Sequence, residues 1–519
     1  MIGQPNVPGL LTWKRLVGRI GGSDHLPIVI TVHASISHQP ITGNKPRWRF
    51  NGINWNDFRN AVEKNIPTSP SSSLKKRADA FTNAILKAAH KHVRKVKPRK
   101  RDNSRMTPKL PGLIKTRNSL RKRINTKRKK RKEWIAACTD VAQAKLESKA
   151  EQWEEVISAA VNDIDEKGMW KLIKSLNGSP STNSPNEAMK INGKTVISAK
   201  RKANAFAKHY AAVSRYKLNK QQRAVSRHLK KLTRSNKHQF DIPDFTMLEL
   251  NKAISKMRRK GAPGPDDVTP AFLKELGTTA LKELLGICNQ SLRSAECPQG
   301  WRDAVIIPLL KAAKSPSDLA SYRPVSLTSC IAKVMERMVA ERLYHLAERN
   351  EWFSSLQAGF RQGHSCMDQI IRLSQAIEDG FQSKPMKRAV MVLLDYSKAF
   401  DTVWRSKLLT TMADKGVPLE YIKWLYSFLQ NRQASVRLHG ASSTKVHLQQ
   451  GVPQGCVLSP LLFVFFINNV VDRLMEVDPV RAKQLVISLF ADDVTILSRN
   501  KSRAQATADA QWAVDIIAK

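Results

Sequence analysis

Leu485-Val486-Ile487-Ser488-Leu489-Phe490-Ala491-Asp492-Asp493-Val494-Thr495-Ile496-Leu497 sets two apolar, β-branched runs on either side of an acidic pair. Both flanks have strand composition, so the pair reads as the tip of a hairpin. A lone Asp-Asp is ordinarily a surface turn. Adjacent carboxylates also repel each other and are costly to desolvate between apolar strands. A second acidic strand end changes that reading: Val390-Met391-Val392-Leu393-Leu394-Asp395. A buried-type strand ending in Asp395, beside a hairpin tipped by Asp492 and Asp493, can place three carboxylates around one or two hard cations. Mg²⁺ takes near-octahedral oxygen ligands, usually one or two carboxylates completed by water and substrate phosphate. Such a cage suits phosphoryl transfer, in which two metals clamp the attacking and leaving oxygens.

The chain has 519 residues and is 41% hydrophobic, enough for real cores. That length suggests about three or four domains. Its formal net charge is +45, from 88 Lys+Arg against 43 Asp+Glu, with a pI near 10.3. Such a charge calls for a polyanion, and nucleic acid is the first choice. No membrane span is expected, because the apolar run Leu461 to Ile467 is far below the ~20 residues a span needs. No signal-peptide pattern opens the sequence. Six scattered cysteines without a C-x-x-C pair point to a reduced, intracellular chain.

Near the start, Asp24-His25 enters the apolar run Pro27-Ile28-Val29-Ile30. The pair is either a loop before an edge strand or an acid/base arrangement in which Asp24 orients His25. Arg47-Trp48-Arg49-Phe50 either stacks bases or forms a domain edge. Between Lys91 and Lys132 stand 20 Lys or Arg and one acidic residue, Asp102. This is a solvated arm that can lie on phosphate backbone and double as a nuclear-localisation signal. Trp134, Cys138, Val141, Trp153, Val156 and Ile157 recur at helical spacing and read as core packing.

Thr246-Met247-Leu248-Glu249 is a capping box with Phe245 and Leu250 as its staple. Its helix is expected to run to about Lys260. Thr269 and Ser459 are expected N-caps, each followed by Pro at N1. A strand running from Trp301 leads to Lys311, and Arg323 follows across a short loop. Both are either solvated or, as a pair, a triphosphate clamp, Arg by its fork and Lys as a point charge. Phe400 is either core or a ring pressed against a sugar C2′. Gln454 offers amide donor and acceptor beside Gly455, which permits close approach.

The order of Gly261-Ala262-Pro263-Gly264-Pro265-Asp266, Tyr322-Arg323-Pro324-Val325-Ser326-Leu327, Gln357-Ala358-Gly359-Phe360-Arg361, Asp395-Tyr396-Ser397-Lys398-Ala399-Phe400-Asp401, Gly451-Val452-Pro453-Gln454-Gly455 and Phe490-Ala491-Asp492-Asp493 resembles the reverse transcriptases of LINE-type (non-LTR) retrotransposons, with an ingi-like flavour. Asp24-His25 resembles the last strand of the endonuclease/exonuclease/phosphatase family, whose other metal-binding residues are not found here, so nuclease activity is not expected. The resemblance implies an α+β right-hand polymerase whose antiparallel palm sheet packs on helices. It implies an endonuclease remnant at 1–37, a basic, mostly helical linker at 38–240, fingers at 241–385 and a palm at 386–519, truncated before the thumb. Asp395, Asp492 and Asp493 would bind two Mg²⁺ (or Mn²⁺), with the Tyr396 carbonyl as a further ligand. Lys311, Arg323, Phe400, Gln454 and Gly455 would bind the nucleotide. The implied partners are an RNA template, a DNA primer and dNTPs, and the implied location is nuclear. The alternative is a basic nucleic-acid-binding remnant that extends no primer.

Overall fold

The computed structural model describes residues 11–15, 28–32, 46–67, 73–96, 110–122, 133–144, 147, 151, 189–191, 193–216, 218–234, 242–311 and 314–518. Asp24 and His25 lie outside the described residues, as does the expected amphipathic helix beyond residue 151. Leu11–Arg15 and Ile28–Val32 are strands paired antiparallel, Trp13 opposite Ile30. Contacts divide the chain into two units: 1–44, 50–94 and 189–519 form one, and 45–49 with 95–188 form the other.

In the smaller unit, Arg47–Trp48 pairs antiparallel with Lys95–Val96, and the Lys95 ammonium sits 4.1 Å over the Trp48 ring. The basic-aromatic strip is thus partly used in its own packing. The helix Leu110–Lys122 follows.

The larger unit does not begin at residue 241. Helices Trp55–Asn65 and Leu74–His92 belong to it. Phe58 stacks on Phe272 at 5.4 Å. Arg77 forks onto both oxygens of Glu283, at 2.7 and 2.8 Å. The capping box is formed: Thr246 Oγ1 accepts from the Glu249 N–H, and Glu249 accepts from the Thr246 N–H at 2.8 Å. Phe245 and Leu250 are both buried behind it. The helix stops at Ser255, earlier than expected. Before the Ala304 strand, residues Gln299–Arg302 form a helical turn, so the strand is shorter than the sequence suggests.

Two sheets position the site. In the first, Ala304–Leu310 lies between Tyr322–Thr328, antiparallel, and Arg432–Leu438, parallel. Its core holds Ile306, Ala434 and Val436 against Phe206 and Tyr210 of the helix Ala199–Val213. In the second, Asp493–Asn500 is the central strand, flanked antiparallel by Val486–Phe490 and Arg388–Asp395. One face of this sheet presses Ile487, Leu489, Val494 and Ile496 onto Val471 and Leu474 of the helix Ser459–Val477 and onto Ala513 and Ile516 of the helix Arg503–Ala518. Among the described residues no helix is long and apolar enough to cross a membrane.

Candidate active site

Phe490 pairs with Asp493, leaving Ala491 and Asp492 as a two-residue turn. Such turns require positive φ, and Ala491 has φ +57°, a strained value for a residue with a Cβ. The turn is held from outside. Gln357, fully buried, accepts from the Ala491 N–H at 3.0 Å and from the Gly359 N–H at 2.7 Å, and donates to the Ala491 carbonyl at 3.4 Å. Ala358 donates to the Leu489 carbonyl, and Leu489 donates to the Leu356 carbonyl. A Cβ on Gly359 would collide with the Ala491 backbone, so glycine is required by the close approach.

The register sets Asp493 directly opposite Asp395. Val392 and Leu394 turn to the apolar core, while Leu393 and Asp395 face outward. Like charges directly opposite across a ladder repel. The Asp493 carboxyl is held above its ordinary range by burial, then by Asp492 and Asp395.

Asp395 and Asp492 line a cleft of about 560 Å³. Lys311, Arg323, Tyr396, Phe400 and Gln454 line the same cleft. Asp493 stands beside Asp395 rather than in the lining, and Gly455 serves the backbone. Gly455 has φ +106°, and a Cβ there would meet the Ser326 carbonyl at 2.7 Å. Lys311 and Arg323 stand at the end of one hairpin, with Leu309 opposite Arg323. Neither is ion-paired among the described residues. The Phe400 ring stacks on Phe463 at 4.6 Å and meets Phe360 edge-on at 6.2 Å, so it is both packed and part of the cleft wall.

Among the described residues, no three His, Cys, Asp or Glu side chains are gathered as a ready-made metal cluster. Asp395 and Asp493 are nevertheless cross-strand neighbours with Asp492 next in the turn, and Asp395 and Asp493 are exposed. A set of neighbouring hard, anionic oxygens suits a divalent cation.

Several residues that hold the site were not singled out by sequence reasoning. Asp401 accepts from Gln454 Nε2 at 3.2 Å, and its carboxyl is pushed up to about 6 by burial, opposed by the Gln454 hydrogen bond and by Lys398 and Lys311. The Val452 N–H donates to the Phe400 carbonyl at 2.8 Å and the Gly451 N–H to that of Val403 at 2.8 Å. Buried Arg405 donates to the carbonyls of Gly451, Leu429, Leu448 and Gln450. Buried Glu336 accepts from the Val457 and Leu458 N–H groups at 2.7 and 3.2 Å. Ser459, expected as an N-cap, is instead the first residue of its helix, and its hydroxyl donates to the Pro453 carbonyl, while Glu336 holds the two residues just before the helix. Thr269 likewise makes no side-chain cap bond. His209 and Tyr210 also line the cleft, and burial, then Lys398, holds the His209 imidazole below its ordinary range.

Residues 311–513 match the family model described as reverse transcriptase (RNA-dependent DNA polymerase). The chain is 27% identical over 498 residues to the probable RNA-directed DNA polymerase from transposon BS of Drosophila melanogaster, covering 92% of this chain and 52% of that protein. It is 28% identical to the corresponding X-element protein of the same fly, with coverage of 92% and 52%. To the RNA-directed DNA polymerase from mobile element jockey of Drosophila melanogaster it is 33% identical, over 52% of this chain and 29% of that protein. The chain thus spans about half the length of the BS and X-element proteins it matches. With the motif order and the two-sheet site beneath them, these matches show that residues 311–513 form a reverse transcriptase domain similar to those of LINE-type, non-LTR retrotransposons.

Proposed function

We propose that the chain is an RNA-directed DNA polymerase that adds dNTPs to a primer 3′-hydroxyl on an RNA template. The observation that carries this reading is the pairing of Asp493 with Asp395 at the mouth of a cleft that also holds Asp492, Lys311 and Arg323. Asp395 and Asp492, with Asp493 beside them, are the residues to hold two Mg²⁺ ions, and the Tyr396 carbonyl is a further oxygen within the same turn. When bound, the metals would neutralise charge on the attacking and leaving oxygens. The chain's own groups do the rest. Lys311 and Arg323 bind the triphosphate and orient its α-phosphate toward the primer. Phe400 presses on the sugar and leaves no room for a 2′-hydroxyl. Gln454 offers its amide to the nucleotide, and Gly455 lets that backbone lie against Ser326.

On this reading residues 241–385 act as fingers and the segment from 386 as palm, with 50–94 and 189–240 packed into the same unit. The basic run between Lys91 and Lys132 supports a hold on phosphate backbone and a nuclear location. The test is primer extension on an RNA template with Mg²⁺, wild type against Asp492→Asn. Wild type should extend, and the variant should bind the primer–template equally but not extend. Equal incorporation by both would refute the assignment.

A further inference from the structure

The helix Ala199–Val213 lies before the residues that match the reverse transcriptase family, yet it forms one wall of the cleft. Phe206 and Tyr210 are buried against Ile306 and Val436, and the Phe206 ring meets Tyr322 edge-on at 4.9 Å. This packing ties the helix to the sheet that carries Lys311 and Arg323. His209, Tyr210 and Val213 thereby face the cleft.

Behind that wall is a second, smaller cavity of about 30 Å³, lined by Tyr210, Ser214, Ser326, Asp401 and Gln454 among others. Tyr210 is 7% exposed, and its hydroxyl has no hydrogen-bond partner among the described residues. A buried, unpaired hydroxyl costs stability, so a phenylalanine would serve the core better. Burial and the nearby Asp401 charge hold the Tyr210 phenol protonated, which makes it a donor. The cavity exceeds the ~10–15 Å³ that one water needs, and in its largely apolar wall the Tyr210, Ser214 and Ser326 hydroxyls with Asp401 and Gln454 are the partners such a water would have. On the far side, Asp401 accepts from Gln454 Nε2. With its NH₂ committed to Asp401, the Gln454 amide has its oxygen left for the cleft. The main chain there is fixed as well, since the Gln454 carbonyl accepts from the Ser326 N–H at 2.7 Å.

We propose that Tyr210 and Asp401 are positioning residues for Gln454: the Tyr210 hydroxyl, through a water in the small cavity, braces the Asp401 carboxylate, which holds the Gln454 amide with its oxygen toward the incoming nucleotide. The helix Ala199–Val213 is then part of the nucleotide site although it lies outside the matched family region. This rests on the polymerase reading above.

The test is single-nucleotide incorporation by the full chain, comparing wild type, Tyr210→Phe, Gln454→Ala and the double variant. Tyr210→Phe should raise the KM for dNTP about five- to tenfold, the size expected for one lost hydrogen bond, with kcat within about twofold. Its thermal midpoint should shift little, because the hydroxyl lost bonds a water and not another element of the fold; a purely structural role for Tyr210 predicts no change in KM. The double variant should be little worse than Gln454→Ala alone. A wild-type KM for Tyr210→Phe, or effects that simply multiply in the double variant, would overturn the proposal while leaving the polymerase reading intact. A wild type that incorporates nothing would overturn both.

Discussion

Replacing Gln357 with Met removes the side-chain hydrogen bonds that tie the Ala491-Asp492 turn to the Gly359 loop, with little change of volume. The amide accepts from two backbone N–H groups and donates to one carbonyl, all within 3.4 Å. Each buried backbone group left unpaired costs about 1–3 kcal/mol, so the local loss is about 2–5 kcal/mol once partial relaxation is allowed. Ala491, held at φ +57°, is then free to leave its strained conformation, and Asp492 moves with it. A displacement of ~1 Å at a reacting centre costs about a hundredfold in rate, or about 2.7 kcal/mol of barrier. Lys311 and Arg323 stand on the other sheet and do not move. Gln357→Met should therefore lower kcat for single-nucleotide incorporation by about two orders of magnitude, with the dNTP KM within a few-fold of wild type. Binding of the primer–template should be unaffected. Wild-type kcat in a folded Gln357→Met variant would show that the turn holds itself, and the clamp argument would fail. A large rise in KM with kcat preserved would refute it equally, because the clamp acts on the carboxylates alone.

Two further outcomes follow from other side chains. Asp401 has its carboxyl raised to about 6 from an ordinary 3.8, so between those values the folded chain binds a proton that the unfolded chain has lost. Stability should fall by about 3 kcal/mol as pH rises from about 4 to about 6 and then level off. Asp401→Asn should flatten that part of the difference in urea midpoint; an unchanged slope would place the carboxylate in solvent. His209, held below its ordinary range, works in the opposite sense at slightly higher pH and is common to both chains, so it drops out of the comparison. Phe400→Val should admit ribonucleotides, read as the ratio of kcat/KM for dNTP and rNTP. An unchanged ratio would make the ring, stacked on Phe463, ordinary core.

The acidic hairpin was legible because its signal is local. Period-two apolar strands force a register, and an acidic pair at the end of one such run stands out. The capping box at Thr246 is legible for the same reason, since all its partners lie within three residues. The clamps were not, because each is one side chain delivered from far along the chain. Glu336 and Arg405 belong to no motif that would mark them. The available signal was their phase: Glu336 falls four residues after Ala332 and three before Val339, on the apolar stripe of its helix. Arg405 holds the same position relative to Leu408, Leu409 and Met412. A charge in phase with a core stripe is a buried charge awaiting a partner. Tyr210 offered no such signal, because an aromatic among Ala203, Phe206, Ala207 and Ala211 is what a core stripe looks like. The packing of residues 50–94 was not legible, because their partners, such as Glu275 and Glu283, lie some two hundred positions away.

These buried charges also bear on why the site is built as it is. Arg405 and Glu336 are almost fully enclosed, and both spend their hydrogen bonds mostly on the backbone between Leu448 and Leu458. Burial holds the Glu336 carboxyl above its ordinary range, against the pull of nearby Arg432. Well-packed apolar side chains would be at least as stabilising at such places, since taking a charge out of water offsets most of what its contacts return. What an apolar side chain cannot do is dictate where an irregular backbone lies. The segment Gly451-Val452-Pro453-Gln454-Gly455 belongs to no strand and has both glycines at positive φ, so it is held by single backbone bonds to Val403, Phe400 and Ser326 and by these two charges at its ends. Arg405 pulls on its carbonyls from one end and Glu336 on the N–H groups just past the other. Gln454 is thereby delivered to the cleft by charges chosen for aim rather than for stability.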